Sequence, residues 1–337
     1  MEKTWFAPAE TARHAATWMC WPADAAIYGG PGAYYEAVRE NLGKLAAAIA
    51  EHEPVFLAAG AEHHELAAEL CGPKVQLVAI ATNDMWARDN GPVFLTDGQG
   101  GLAARDFNFN GWGGKQHHGR DEAIAAAMAA HAGCVHLPSG LTGEGGGLEY
   151  DGEGTLLLTE SCWVNDNRNP GKSRAEIEAA LKADLGVEKV IWLPGTAGED
   201  ITDGHIDGLA RIARPGVVVT SSAEGDPDDP WNAPIAEAAA LLARETDARG
   251  RAFEVVDIPC PDTVRSDRED FEIGYVNYYV GNGAVYLPEF GDPRSDGFAQ
   301  ETFARLFPGR KVVALNVDRI QENGGGIHCV TQQQPAV

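Results

Sequence analysis

The strongest constraint on the fold is a recurrence. Strand pairs across a glycine-bearing turn return near Trp18, Asp89, Gly146, His205, Asn277 and Cys329. The intervals are roughly 50 to 70 residues, the size of a repeated supersecondary unit. Each interval holds a helix and a further strand. Six hairpin-like elements over five intervals fit a closed ring of five units, in which the last strand pair completes the first. An open doubly wound sheet also alternates strand and helix, but it does not predict polar residues on so many hairpins. The expected fold class is therefore α/β, as five pseudo-repeated units, with 1–337 read as a single catalytic domain.

Periodicity and turn chemistry place the elements. Helices are expected over 33–52, 62–70, 120–132, 173–185, 234–246 and 298–306. Ser173 with Glu176 three residues on is a capping box for the fourth. Strands are expected over 14–22, 55–59, 75–80, 93–96, 156–158, 190–193, 209–212, 217–220, 253–258, 275–280, 284–287, 312–315 and 327–331. The aromatic, glycine-rich run 106–114 and the acidic run Asp226–Pro230 read as loops.

Composition narrows the function. The chain of 337 residues is 44% hydrophobic and carries 50 acidic against 26 basic residues, a net charge of −24. It is globular, and its charge is the wrong sign for binding phosphate backbones. An acidic protein can attract a small cation, though net charge also serves solubility. Six scattered cysteines with no Cys-x-x-Cys spacing argue against a disulfide framework and a structural zinc site. No run approaches the roughly 18 apolar residues of a membrane span, and the N-terminus has no apolar signal core. A cytoplasmic protein with no nucleic-acid or membrane partner is expected; a homo-oligomer is left open.

The candidate chemistry sits on the turns. Asn323–Pro335 reads Asn-Gly-Gly-Gly-Ile-His-Cys-Val-Thr-Gln-Gln-Gln-Pro. Three glycines permit φ > 0 or close backbone approach. On a following strand Cys329 would face away from His328. A thiol delivered by such a turn is a candidate nucleophile, set against a small buried core thiol. His205 and Asp207, two apart, share a face with Asp203 if the backbone is extended. A neighbouring carboxylate would lift the imidazole pKa. Asp89 follows Arg88, and adjacent strand residues need not pair with each other. Glu144 opens a glycine turn of the same kind, or is an exposed loop glutamate.

Taken in order, Pro8-Ala9-Glu10, Trp18-Met19-Cys20-Trp21-Pro22, Trp86-Ala87-Arg88-Asp89-Asn90-Gly91-Pro92, Asn110–Lys115, Glu144-Gly145-Gly146, Thr202–Asp207, Phe290-Gly291-Asp292 and Gly324–Gln334 resemble the agmatine deiminase family, related to the bacterial peptidylarginine deiminases. The resemblance covers the whole chain. It implies the pentein fold, a five-bladed α/β propeller with its site on the pseudo-fivefold axis, in agreement with the repeat count. It also implies roles: Cys329 as nucleophile, His205 as acid/base, Asp89 and Asp207 as a guanidinium clamp, and Glu144 orienting His205. Trp86 and Trp112 would wall the planar cation, and Asp84 and Asp203 would add to the substrate-binding acids. No metal or organic cofactor is implied.

Two departures stand out. Glu149-Tyr150 occupies the place of a histidine-valine pair, and the charged segment 262–271 replaces a compact approach to the fifth hairpin. Both are expected to bear on the substrate's distal end, and acids of the segment (Asp267, Glu269, Asp270) to line the entrance. The reaction implied is hydrolysis of agmatine to N-carbamoylputrescine and ammonia through a cysteine amidino-thioether, a step toward putrescine. The alternatives are deimination of another small guanidine or of peptidyl-arginine, and a catalytically silent guanidine-binding protein.

Overall fold

The computed structural model describes residues 4–222 and 230–337. Residues 1–3 of the N-terminus, and the expected Asp226–Pro230 loop apart from Pro230, lie outside them. Among the described residues sixteen strands run in chain order: β1 (His14–Cys20), β2 (Val55–Ala59), β3 (Val75–Ala79), β4 (Val93–Thr96), β5 (Leu102–Asp106), β6 (Val135–Pro138), β7 (Glu149–Tyr150), β8 (Thr155–Thr159), β9 (Lys189–Leu193), β10 (Ala210–Arg214), β11 (Val217–Ser221), β12 (Glu254–Ile258), β13 (Tyr279–Val280), β14 (Ala284–Pro288), β15 (Lys311–Leu315) and β16 (Gln332–Pro335).

These form five small mixed sheets, β4-β5-β6, β7-β8-β9, β10-β11-β12, β13-β14-β15 and β16-β1-β2-β3. Each begins with an antiparallel pair and continues, across a helix, into a parallel strand. A parallel neighbour needs a long crossover, and a helix supplies it. The ring is closed by the C-terminus: β16 lies antiparallel on β1, with Gln332 opposite Trp18.

Apolar clusters sit between sheets and helices. The helix Ala33–Ile49 buries Val38, Leu42, Leu45 and Ile49 with Val55 and Leu57 of β2. The helix Pro293–Leu306 buries Ala299 and Phe303 with Val285 and Leu287 of β14. Each such side chain contributes roughly 1.5–3 kcal/mol. The helix Arg174–Leu185 starts at the expected capping box of Ser173 and Glu176. Pro293 at the first turn and the Asp292 cap start Pro293–Leu306 five residues earlier than hydrophobic spacing suggests.

Four expectations need correction. Ile327–Val330 is a turn, and the strand begins only at Gln332. The strand expected over 275–280 shrinks to Tyr279–Val280. Within 106–114, Gly111–Gly114 curls into a short helical turn containing Trp112 at φ 55°, ψ 47°. His205 is extended, but Ile206–Gly208 form a 3₁₀ turn and Asp203 is left-handed, φ 62°, so strand alternation does not set their faces.

A buried ionic cluster joins the start of the chain to three of the units. Glu10 receives Arg211 Nη2 at 3.0 Å and Arg88 Nη2 at 3.2 Å, and meets His328 Nε2 at 2.9 Å. Arg211 Nε also donates to Glu149 at 2.6 Å. Removing one member of such a set strands a buried charge, at about 3–5 kcal/mol.

Candidate active site

The same segment of each unit, the turn that leads into its first strand, supplies the site. Ala87–Asn90 before β4 carries Asp89, Glu144–Gly147 before β7 carries Glu144, and Ile206–Gly208 before β10 carries Asp207 with His205 at its start. Asn277 precedes β13 and Cys329 precedes β16. Five short lead-ins meeting at a ring centre bring together residues up to 240 positions apart.

The glycine turns make this approach possible. A Cβ on Gly146 would stand 2.6 Å from His205 Nδ1, 2.7 Å from Asp89 Oδ1 and 3.1 Å from Asp207 Oδ2. In the last turn, Gly324 takes φ 80°, while Gly325 packs on the Trp86 ring and Gly326 on the Asn277 amide. The triple glycine thus serves both of its possible uses, one per position.

Cys329 is buried. Its Sγ lies 3.1 Å from Asn277 Nδ2 and 3.5 Å from Asp207 Oδ2. Asn277 Oδ1 accepts the backbone N–H of His328 at 2.9 Å and of Cys329 at 3.3 Å, which turns the amide's donor end to the sulfur. Burial, then Asp207 and Asp89, push the thiol well above its ordinary pKa. The resting sulfur is protonated.

The two aspartates expected to form the clamp differ. Asp89 accepts Gly146 N–H at 3.0 Å and Trp112 Nε1 at 2.9 Å. Burial, with Asp207 and Glu144 adding repulsion against the pull of His205, lifts its carboxyl to about 6. Asp207 meets His328 Nδ1 at 2.7 Å. Burial opposes its charge, but His328, His205 and Arg211 outweigh it and hold the carboxyl at about 2. Both are ionised at neutral pH.

His205 Nε2 lies 3.3 Å from Glu144 Oε2, and its Nδ1 lies 3.7 Å from Asp89. Burial works against its charge, yet Asp89, the Cys162 sulfur and Glu144 keep its pKa well above the usual imidazole value. Glu144 is itself held by Arg168 Nε, at 2.9 and 2.8 Å to its two oxygens. Glu144, Cys162 and His205 offer metal-ligand atoms within 4.8 Å of one another. The Arg168 guanidinium on Glu144 opposes a second cation there, so the trio reads as an ion-pair relay.

Trp86 and Trp112 line a narrow cavity of about 40 Å³ with Asp89, Gln116 and Cys329. Trp112 holds its left-handed backbone, a conformation costing about 1–2 kcal/mol for a side-chain-bearing residue, while its indole donates to Asp89. Asp84 and Asp203 do not present free carboxylates. Asp84 is spent on Tyr28, Met85 N–H, Trp86 Nε1 and Gln116 Nε2. Asp203 pairs with Lys115 at 2.8 Å and Arg168 at 2.7 Å. Neither lines a cavity at Cys329, and each is bonded to other site residues. Glu149 and Tyr150 are buried, Glu149 on Arg211 and the Ile212 N–H and Tyr150 beneath Gln333, and neither lines a cavity at Cys329. Of the segment acids, Glu269 lines the larger cavity, and Asp267 and Asp270 do not.

Sequence reasoning missed four partners. Arg168 lies in an irregular polar loop with no periodic signal. Glu10 and His328 were inside quoted motifs but given no role. Asn277 was marked by the repeat itself, at the same place in its unit as Asp89 and Glu144, and that signal was sufficient to find it.

Comparison with known proteins finds relatives along the full chain. Residues 6–335 match the Porphyromonas-type peptidyl-arginine deiminase family. A Streptomyces coelicolor protein is 43% identical over 97% of this chain and 98% of its own length. The agmatine deiminase of Stutzerimonas stutzeri is 39% identical over 98% of this chain and 96% of its own. The solved structure of Enterococcus faecalis agmatine deiminase superposes with a TM-score of 0.90 at 28% identity, covering 99% and 96% of the two chains.

Proposed function

The chain belongs to the Porphyromonas-type peptidyl-arginine deiminase family, and from that premise we propose that it is an agmatine deiminase, hydrolysing agmatine to N-carbamoylputrescine and ammonia. The observation that carries the reading is the convergence on Cys329 of two ionised carboxylates and a charged imidazole, Asp89 lining the narrow cavity at the thiol and Asp207 and His205 a second one. Relatives at 39–43% identity over nearly the full length support the same assignment.

A guanidinium is planar, delocalised and permanently charged, and it resists attack. Asp89 and Asp207 hold it by charge-assisted hydrogen bonds and fix its carbon near the sulfur. The same two carboxylates raise the thiol pKa in the free protein. The incoming cation offsets their charge, so binding itself favours the thiolate, and the thiol proton leaves to solvent. Asn277 Nδ2 is placed to donate to the sulfur anion.

The thiolate then adds to the guanidinium carbon. His205, charged at rest, protonates the departing nitrogen, and ammonia leaves. The amidino-thioether remains, and His205 is neutral. It takes a proton from water as the water adds to the same carbon. The carbon–sulfur bond breaks, the urea oxygen loses its proton, and the thiolate is regenerated. Glu144, fixed by Arg168, holds the imidazole through both protonation states.

Arginine differs by an α-carboxylate that would need a cation. The two candidates are already engaged: Arg88 with Glu10 and Gln333, and Lys115 with Asp203 and two backbone carbonyls. Agmatine is therefore expected over free arginine by more than about a hundredfold in kcat/KM, roughly 2.7 kcal/mol. The test is ammonia release from agmatine, arginine, shorter and longer guanidinoalkylamines and a peptide with terminal arginine. Preference for arginine or the peptide would overturn the substrate, and silence on all of them would overturn the activity.

Closure of β16 on β1 supports reading 1–337 as one catalytic domain. The free cysteines support a reducing, cytoplasmic setting. Among the described residues no helix is long and apolar enough to cross a membrane.

A further inference from the structure

A second cavity of about 470 Å³ also reaches Cys329, lined by His205, Asp207, Asn277 and residues around β10, β11 and the approach to β13. That volume suits a small molecule, whereas the narrow cavity between Trp86 and Trp112 holds little more than one water's share of liquid, about 30 Å³. The described lining of the larger cavity includes Asp200, Asp207, Glu269 and Glu272 and has no lysine or arginine.

These four acids are not equivalent. Asp207 is held by His328. Asp200 Oδ1 accepts the Thr202 hydroxyl at 2.8 Å and Gly204 N–H at 3.2 Å. Glu269 is exposed. Glu272 is partly buried, and its carboxylate makes no hydrogen bond or ion pair among the described residues. Its Oε1 lies 3.7 Å from where a Cβ on Gly208 would stand, one residue beyond the clamp's Asp207. Its backbone is pinned on both sides by buried Gln321: Glu272 N–H donates to the Gln321 carbonyl at 3.0 Å, and Gln321 Nε2 donates to the Glu272 carbonyl at 2.9 Å. Gln321 leads into the glycine turn that carries Cys329. The backbone of Glu272 is thus fixed, and its carboxylate stands close to the guanidinium clamp and unpaired.

An unpaired carboxylate in a partly desolvated cavity is costly unless a cation meets it or it takes a proton. The proposed substrate is a dication whose second charge has no partner at the clamp. We propose that Glu272 is the residue that binds the distal ammonium of the substrate and selects a guanidinoalkylamine over guanidines lacking that charge or bearing a carboxylate there. The inference rests on the agmatine deiminase reading and deepens it. Burial, then repulsion from Asp207 and Asp200, raises the Glu272 carboxyl to about 8. The free residue is largely protonated at neutral pH, and an arriving ammonium makes its ionisation favourable. The device discriminates by charge: an ammonium draws out a carboxylate partner, and an α-carboxylate finds no lysine or arginine in the described lining to meet it.

The test compares agmatine with n-butylguanidine, which keeps the guanidinium and chain but lacks the ammonium. Ammonia release is measured for the wild type, Glu272→Gln and Glu272→Asp, with thermal melting of each. Glu272→Gln is expected to lose at least about thirtyfold in kcat/KM on agmatine, mostly through KM, and to stay within about twofold of wild type on n-butylguanidine. Glu272→Asp is expected to recover part of the loss. An unchanged kcat/KM of Glu272→Gln on agmatine, or an equal loss on both compounds, would overturn the inference while leaving the activity intact. A wild type silent on agmatine would overturn the function reading itself, visible before any variant is compared.

Discussion

At the scale of single residues, the site works by setting neighbouring groups of one kind apart. Asp89 and Asp207 are both buried aspartates, yet their carboxyls stand at about 6 and about 2. The difference comes first from His328, which touches Asp207 and not Asp89, with Arg211 adding to it. The sign follows directly. In the proposed mechanism Asp89 binds the cation only when ionised, so lowering the pH through about 6 protonates it and removes half the proposed clamp. In a pH profile of kcat/KM, a further tenfold loss per pH unit is expected below about pH 6, with no break from Asp207 in that window. A profile without an added break between pH 5 and 7 would contradict this placement. The residue types of the site were legible because the chemistry demands them: a thiol, an imidazole and two carboxylates on glycine turns. Their supports were not. Arg168 and Glu144 are 24 positions apart, and His328 and Glu10 are 318 apart. A single sequence has no local signal for pairing across such distances.

At the scale of elements, the informative error is Ile327–Thr331. Its apolar, β-branched character reads as a strand, but side chains claim its backbone. Asn277 Oδ1 takes the N–H groups of His328 and Cys329, and Thr331 Oγ1 donates to the Ile327 carbonyl at 2.9 Å. Such bonds offer the backbone an alternative to the sheet ladder. The consequence is functional: on a turn, both His328 and Cys329 reach Asp207, which strand alternation would have forbidden. The 3₁₀ turn Gly145–Gly147 is the other element whose sequence is explained by the site. Gly146 is tolerated there by no other residue without displacing His205 or Asp89. Gly146→Ala is expected to fold with a small loss of thermal stability and to lose at least about a hundredfold in kcat/KM, because a misplacement near 1 Å suffices for that. Near-wild-type turnover would show that the catalytic side chains are not held where the turn puts them.

At the scale of the molecule, the ring is what makes a site from five ordinary turns. Each unit alone is a sheet of three or four strands with a helix, too small for a stable core. Closure buries the intervening apolar clusters and collects the polar lead-ins at the centre, where Glu10, Arg88, Arg211 and His328 bind the start of the chain to its end. The recurrence of turns announced the five-fold plan, and the solved agmatine deiminase structure shares the fold. Tertiary pairing was not announced: nothing local in Gln332–Pro335 says that it completes the sheet of His14–Cys20. The central claim is that this assembly drives Cys329 onto a guanidinium carbon. The most direct measurement is intact and peptide-level mass spectrometry of the protein acid-quenched during turnover of agmatine, beside Cys329→Ala. A mass gain equal to agmatine less ammonia, located on Cys329 and lost in Cys329→Ala, is the predicted result. Turnover by Cys329→Ala above about a hundredth of the wild-type rate, or an adduct on any other cysteine, would contradict it.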